Sequence, residues 1–276
     1  MYSIYNFFYP KNSITGQREL WYLPTSLSTM YGNRKQCEHR SKLGALTIPE
    51  NRLIQMQEHV NKVVSALGVH AQRPGYLPFH YEATLVDTHE CIAESYPGGK
   101  VVVGIPFIER VFFSRKEEGD VTEYDILAAP IAHEMAHVVL GHCHKQFETK
   151  MFCDIGRLLS FIGLGQAAIA HMFNRSSSTT KKILYASLVL YLCVRMHMRS
   201  LPERLRKREY EADKFGIELM QRAGYNLRGS LVALKRGPSY FAGENTARDA
   251  THPPIEARIK ANQHTIKEIE RRGQID

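Results

Sequence analysis

Two histidines four residues apart, with a glutamate directly after the first, His133-Glu134-Met135-Ala136-His137, are the parts for metal-assisted hydrolysis of a peptide bond. On an α-helix residues i and i+4 share a face, so His133 and His137 can aim imidazole nitrogens at one metal ion. Glu134 lies about 100° further round the helix, where its carboxylate can reach a water beside that metal without being a ligand. The pattern suits a single zinc ion. A catalytic zinc site needs a third protein ligand and keeps its fourth position for water.

The nearest candidates for that ligand fit poorly. A metzincin would require glycine at 140 and histidine at 143, but the chain has Leu140 and Cys143, which excludes that class. His142 and His144 follow His137 by five and seven residues, and neither shares its face well; a supporting or packing role suits His142 better than ligation. A stronger candidate lies in Arg206-Lys207-Arg208-Glu209-Tyr210-Glu211-Ala212-Asp213. Glu209 and Asp213 are again an i, i+4 pair, so Glu209 can bind zinc while Asp213 accepts an N–H from a ligand histidine. Glu211 should face away. Without the upstream histidines, such a charged helix would read as an ordinary solvated face.

The elements that must position these residues are legible in outline. At 276 residues the chain can bury a full core, and it reads as one α+β domain, mostly helical, over residues 49–276, preceded by an extension over residues 1–48 that packs on it. Leu53, Met56, Val60, Val63, Val64 and Leu67 fall at helical spacing between Pro49 and Leu67. From Tyr81 to Ile105 short β-prone stretches flank a Pro97-Gly98-Gly99 turn, predicting a small mixed sheet with a hairpin. The helix carrying the histidines should cover about Ile131 to Cys143, either starting at Pro130 or kinked there. After it, Leu158 to Asn174 and Ile183 to Val194 are free of Asp, Glu, Lys and Arg, within an insert at about 151–198. They read as buried helices or as a hairpin dipping into a lipid surface, with Arg157, Arg175, Lys181, Lys182 and Arg195 at their borders as anchors. Charged helices should follow from Glu203 to Ala223 and from Ile255 to Arg272.

Composition removes several classes. Five widely spaced cysteines, Cys37, Cys91, Cys143, Cys153 and Cys193, contain no C-x-x-C pair, so neither a disulfide framework nor a thiolate zinc site is signalled. The formal charge of +8 suits an anionic partner, but aromatics are not interleaved with the basic runs, and no nucleic acid is expected. The first residues, MYSIYNFFYPKNS, read neither as a secretory signal nor as an arginine-rich transit peptide.

Taken together, His-Glu-x-x-His, the helix Glu209-Tyr210-Glu211-Ala212-Asp213, and Thr251-His252-Pro253 with Arg258 six residues on resemble the gluzincin family of the HtpX proteases and the prenyl-protein CAAX endopeptidases. Thr15-Gly16-Gln17-Arg18 and Pro97-Gly98-Gly99-Lys100-Val101 look like its branch containing the mitochondrial OMA metalloendopeptidase and bacterial periplasmic relatives. The resemblance spans about residues 13 to 262. It implies a zincin-like fold, zinc bound by His133, His137 and Glu209, Glu134 as general base, His252 close to the metal and Arg258 supporting the site. It also implies that a protein substrate adds as a β-strand to the strand near Lys100–Ile105 or to its hairpin partner. Two residues depart from the family: Ile92-Ala93 replaces its usual Asn-Ala, and Pro130 an aliphatic helix former.

The expected activity is that of a zinc endopeptidase acting on membrane-associated or misfolded proteins. Glu134 would move the proton, and His252 or Arg258 would donate to the oxyanion. The resemblance places it at the mitochondrial inner membrane or, in a bacterium, in the periplasm or envelope. A fold-retaining chaperone or membrane-bound binding platform is the rival, opposed by the intact Glu134, which a closed structural zinc site would not need. A zinc aminopeptidase is a third reading, but no device for an amino terminus is visible.

Overall fold

The computed structural model describes residues 23–43, 48–72, 80–87, 93–113, 119–172, 178–236 and 252–273. Thr15-Gly16-Gln17-Arg18, Ile92 and Thr251 lie outside the described residues. In chain order the elements are α1 (Thr25–Leu43), α2 (Glu50–Gly68), β1 (Glu82–Val86), β2 (Ala93–Tyr96), β3 (Lys100–Gly104) and α3 (Ile105–Phe113). They continue with α4 (Glu123–Val139), α5 (His142–Met172), α6 (Ser178–Arg222), α7 (Arg228–Arg236) and α8 (Ile255–Arg272). This is the mostly helical α+β class with a small mixed sheet that the sequence predicts.

The sheet has the order β1-β3-β2, with β1 parallel and β2 antiparallel to β3. Both its faces are covered, which is why β3 reads as an unbroken Val101-Val102-Val103 run instead of an alternating one. Ala83, Leu85, Val101 and Val103 face the main core with Met56, Val60, Val63 and Leu67 of α2. Val86, Tyr96 and Val102 face the other way, against Tyr31 of α1. Gln36 of α1 also donates to Thr84 Oγ1 at 3.2 Å. At the turn between β2 and β3, Gly98 and Gly99 have φ of +85° and +79°, a conformation that favours glycine. Gly32 lets α1 lie directly on this turn, because a Cβ there would sit 2.0 Å from the Pro97 carbonyl oxygen. A charged cluster ties the same helix to the sheet. Glu82 of β1 bonds to Lys100 of β3 at 2.7 Å and to Arg40 of α1, and the Lys100 bond does most to hold its carboxyl down at about 2.

Two helices differ from the sequence expectation, at three points and each for a physical reason. The histidine-bearing helix α4 starts at Glu123, about two turns before Ile131, because Thr122 and Asp125 form a capping box. Pro130 is therefore neither first nor terminal but inside the helix. An interior proline costs about 3 kcal/mol, and burial of Ile126, Leu127, Ile131, Ala132 and Met135 opposes that cost at roughly 1.5–3 kcal/mol for each large side chain. The helix ends earlier than Cys143, at Val139, since Gly141 takes φ +80°. Finally, α6 passes straight through Pro202 where a new helix was expected. Just before that proline, the His197 carbonyl accepts from Ser200 Oγ at 3.1 Å and from the Arg204 guanidinium at 3.1 Å, so side chains on both sides of Pro202 tie the turn together.

The two apolar stretches form long parts of α5 and α6, and they are not buried in a core. Leu158, Phe161, Ile169, Tyr185, Leu188 and Val189 are all exposed, Phe161 by 78%. The inner face of the pair carries small residues instead: Gly156, Ser160, Gly163 and Ala167 on α5 against Ser187 and Val194 on α6. A Cβ on Gly163 would lie 1.9 Å from Ser187 Oγ, so the backbones approach as closely as small residues allow. Small residues within and large apolar residues without is the pattern of helices that pack in lipid. Among the described residues one helix, α5 over His142–His171, is long and apolar enough to cross a membrane by length and composition.

Candidate active site

Helix α4 supplies His133, Glu134 and His137, and α6 crosses it to bring Glu209 and Asp213 onto the same spot. Gly216, one turn beyond Asp213, makes that crossing close: a Cβ there would meet the backbone of Ala132 and His133 at 3.1–3.2 Å. The glycine thus sets the distance between the two helices that carry these side chains.

His133 Nε2 and His137 Nε2 lie 3.1 Å apart, and the two carboxylate oxygens of Glu209 lie 3.5 Å from the first and 3.4 Å from the second. Donor atoms that each bind one tetrahedral zinc at roughly 2.0–2.2 Å are separated by about 3.3–3.6 Å. The two carboxylate–imidazole separations fall in that range and the imidazole pair lies slightly closer, so the three side chains stand near enough to share one ion, and their chemistry, two imidazoles and a carboxylate, suits a metal such as zinc. Charge agrees with size. Burial alone would raise the Glu209 carboxyl, but hydrogen bonds from His133, His137 and His252 hold it well below the usual carboxylate range. Burial would lower His133, yet Asp213 and Glu209 draw it up to about 10. The pocket is built to hold positive charge.

Around this triangle the supports are specific. Asp213 Oδ1 is 2.9 Å from His133 Nδ1, a contact that would orient the ring if His133 binds a metal. Asp213 also accepts two bonds from Arg258, from Nε at 2.8 Å and from Nη2 at 2.6 Å. Burial would raise the Asp213 carboxyl, but Arg258 holds it down at about 2. Arg258, on the first turn of α8, thus spends its planar fork on Asp213, with its Nη1 3.9 Å from Glu209. His252, just before that helix, places Nδ1 2.8 Å from Glu209 Oε2. All seven residues singled out in the sequence meet in one place.

Two partners, Ser95 and Glu211, were not foreseen, and a third, His142, was expected only in a supporting or packing role. Ser95 of β2 donates to Glu134 Oε2 at 2.7 Å, steadying the carboxylate from the sheet side. Its only sequence signal is strand alternation, which puts residue 95 on the face opposite Tyr96. His142 and Glu211 form the other pair: His142 Nδ1 is 2.9 Å from His137 Nδ1, and His142 Nε2 is 3.3 Å from Glu211 Oε2. Glu211 does face away from the donor triangle, as expected, but it meets a histidine there. Cys143 is buried against Ser95 and contributes no donor to the triangle.

The strand geometry narrows where an extended peptide could add. β3 is central, paired on both sides, so it offers no edge. Among the described residues β2 pairs only with β3, and its Ser95 touches Glu134, so the hairpin partner is the strand with an edge beside the site.

A model of the family described as Peptidase family M48 matches residues 52–266, more than three-quarters of the chain and all seven of these residues. No curated protein matches the chain.

Proposed function

Since the chain belongs to peptidase family M48 and is a metalloprotease, we propose that it is a zinc-dependent endopeptidase in which His133, His137 and Glu209 hold the metal. The observation that carries this reading is the convergence of two imidazoles and a carboxylate close enough together to hold one ion, with Glu134 beside them and outside the cluster. Zinc bound there would supply Lewis acidity towards water and towards a peptide carbonyl. Glu134 is the general base: Ser95 occupies its Oε2, leaving Oε1 to take the proton from water and return it to the leaving amine. His252 is the donor for the oxyanion, since the Arg258 fork is engaged with Asp213. Arg258 acts by fixing Asp213, and through it His133.

A protein substrate would lie along the edge of β2, its backbone pairing with the strand and its scissile bond carried past Glu134. The resemblance of Thr15-Gly16-Gln17-Arg18 and Pro97-Gly98-Gly99-Lys100-Val101 to the OMA branch favours substrates that are membrane-associated or misfolded. Purified protein should contain about one zinc per chain and cut unfolded casein at internal bonds, with cutting stopped by a chelator and restored by zinc. Metal-free protein that cuts casein undiminished would defeat the proposal, and metal-free protein that only binds casein would favour the binding platform.

The α5–α6 hairpin supports a membrane address. Its outward apolar side chains lie between basic residues, with Arg157 and Arg195 nearer the domain and Lys181 and Lys182 at the far end, so anionic lipid would meet both. Each large apolar side chain transferred to lipid contributes roughly 1.5–3 kcal/mol. Phe161→Glu with Leu188→Glu should therefore cut flotation with anionic vesicles by about tenfold or more while sparing cleavage of a short soluble peptide. Unchanged flotation of the double variant would remove the hairpin from the membrane contact.

A further inference from the structure

His137 has two ring nitrogens, and they face different neighbours. Nε2 faces the donor triangle, 3.1 Å from His133 and 3.4 Å from Glu209. Nδ1 lies on the opposite side of the ring, 2.9 Å from His142 Nδ1. Two imidazole nitrogens at that distance share one hydrogen. With Nε2 turned to a metal, a neutral His137 carries its hydrogen on Nδ1, so His137 donates and His142 accepts. A neutral His142 then carries its own hydrogen on Nε2, and that atom faces an acceptor, Glu211 Oε2 at 3.3 Å. The donors are consistent in one direction only, outward from His137 to Glu211.

We propose that His142 and Glu211 are positioning residues for the metal site, fixing His137 as its Nδ1–H tautomer and aiming Nε2 at the metal; the proposal rests on the metal reading above. The backbone explains how residue 142 reaches its place. In an unbroken helix it would stand about 140° round from His137. Gly141 at φ +80° ends α4 in the left-handed conformation, and the chain folds back so that His142, the first residue of α5, sits against His137. The side chain of His142 is 7% exposed, so water does not compete well for the bond. Glu211 is 31% exposed, with Lys207 Nζ 3.8 Å from its other oxygen, and its carboxylate is held by two partners.

The arrangement also gives one turn of α6 three tasks. Glu209 faces the donor triangle, Asp213 orients His133 directly, and Glu211 orients His137 through His142. The two ligand histidines thus receive carboxylate support from the same helix on different sides.

The test uses the full chain, with zinc affinity from chelator competition and ligand geometry from the visible absorption of the cobalt(II)-loaded protein. Replacing a residue that orients a ligand typically weakens metal binding about 10–100-fold, and His142→Leu should raise the zinc Kd by that factor and shift the cobalt bands. His142→Asn, which keeps an acceptor oxygen near the position of Nδ1, should recover most of the affinity. Glu211→Ala should lose about tenfold. Wild-type affinity and cobalt bands in His142→Leu overturn the inference. If that variant does not fold, Glu211→Ala decides by the same two measurements, and unchanged values again overturn it. A wild-type chain that takes up no zinc overturns the metal reading itself, whereas normal uptake in every variant overturns only the positioning role.

Discussion

Glu134→Gln should keep its zinc and lose about 10²–10⁴-fold in the rate of peptide-bond hydrolysis, the range that a positioned general base contributes. Glutamine has nearly the same shape, and its amide oxygen can still accept from Ser95 where Glu134 Oε2 does at 2.7 Å. The residue stands outside the donor triangle of His133, His137 and Glu209, so the metal should stay. What the amide cannot do is take a proton at neutral pH. Zinc content by atomic absorption and kcat on an internally quenched peptide separate these effects. Full zinc with undiminished kcat would move the proton transfer to another group, and casein cutting that survives in this variant would favour a binding platform over an enzyme.

Asp213→Ala should destabilise the fold by about 3–5 kcal/mol, the usual consequence of removing one member of a buried ion pair. The Arg258 side chain is 14% exposed, and without Asp213 its guanidinium keeps, among the described residues, Glu209 at 3.9 Å. A second loss is expected at His133, whose ring would no longer be fixed through Nδ1, with zinc affinity falling about 10–100-fold. The joint replacement Asp213→Leu with Arg258→Met separates the two: stability should largely return, because an apolar pair is often as good as a buried ion pair, while zinc affinity should not. The pH dependence has a definite sign. The Asp213 carboxyl is depressed from its ordinary 3.8 to about 2, so its contribution is complete above pH 3.8 and is lost as the pH falls towards 2. Urea unfolding at neutral pH and through this acid window should show both the smaller stability of the variant and the absence of that acid limb. Stability within 1 kcal/mol of the wild type would mean that Arg258 finds another partner, and the ion pair would lose its structural role.

How much of this was legible follows from the range of each interaction. His133, Glu134 and His137 were readable because helix geometry is local: four residues make one turn, whatever the rest of the chain does. The pairing of Glu209 with Asp213 was readable for the same reason. The capping box at Thr122 and Asp125 was equally local, yet it was missed because Pro130 drew the helix boundary to itself. The apolar stretches are the opposite case. Their length and lack of charge were plain, but whether their side chains face a core or the outside depends on what packs beside them. Gly156, Ser160, Gly163 and Ala167 turn out to form the inner stripe, and the large residues are left outside. Ser95 carries no motif at all; it matters because β2 runs beside α4.

By itself, then, the sequence determined the chemical groups and the faces on which they stand: two imidazoles and a carboxylate on one helix, and two carboxylates on another. Tertiary structure alone decided which faces meet. The crossing of α4 and α6 at Gly216 brings Glu209 within 3.5 Å of histidines more than 70 residues away, and no local periodicity encodes such a distance. The left-handed turn at Gly141 and the path of α6 likewise decided that His142 and Glu211 stand behind His137. Backbone geometry repeats every turn and can be read along the chain, whereas contacts between helices depend on how closely two surfaces fit and exist only once the chain has folded.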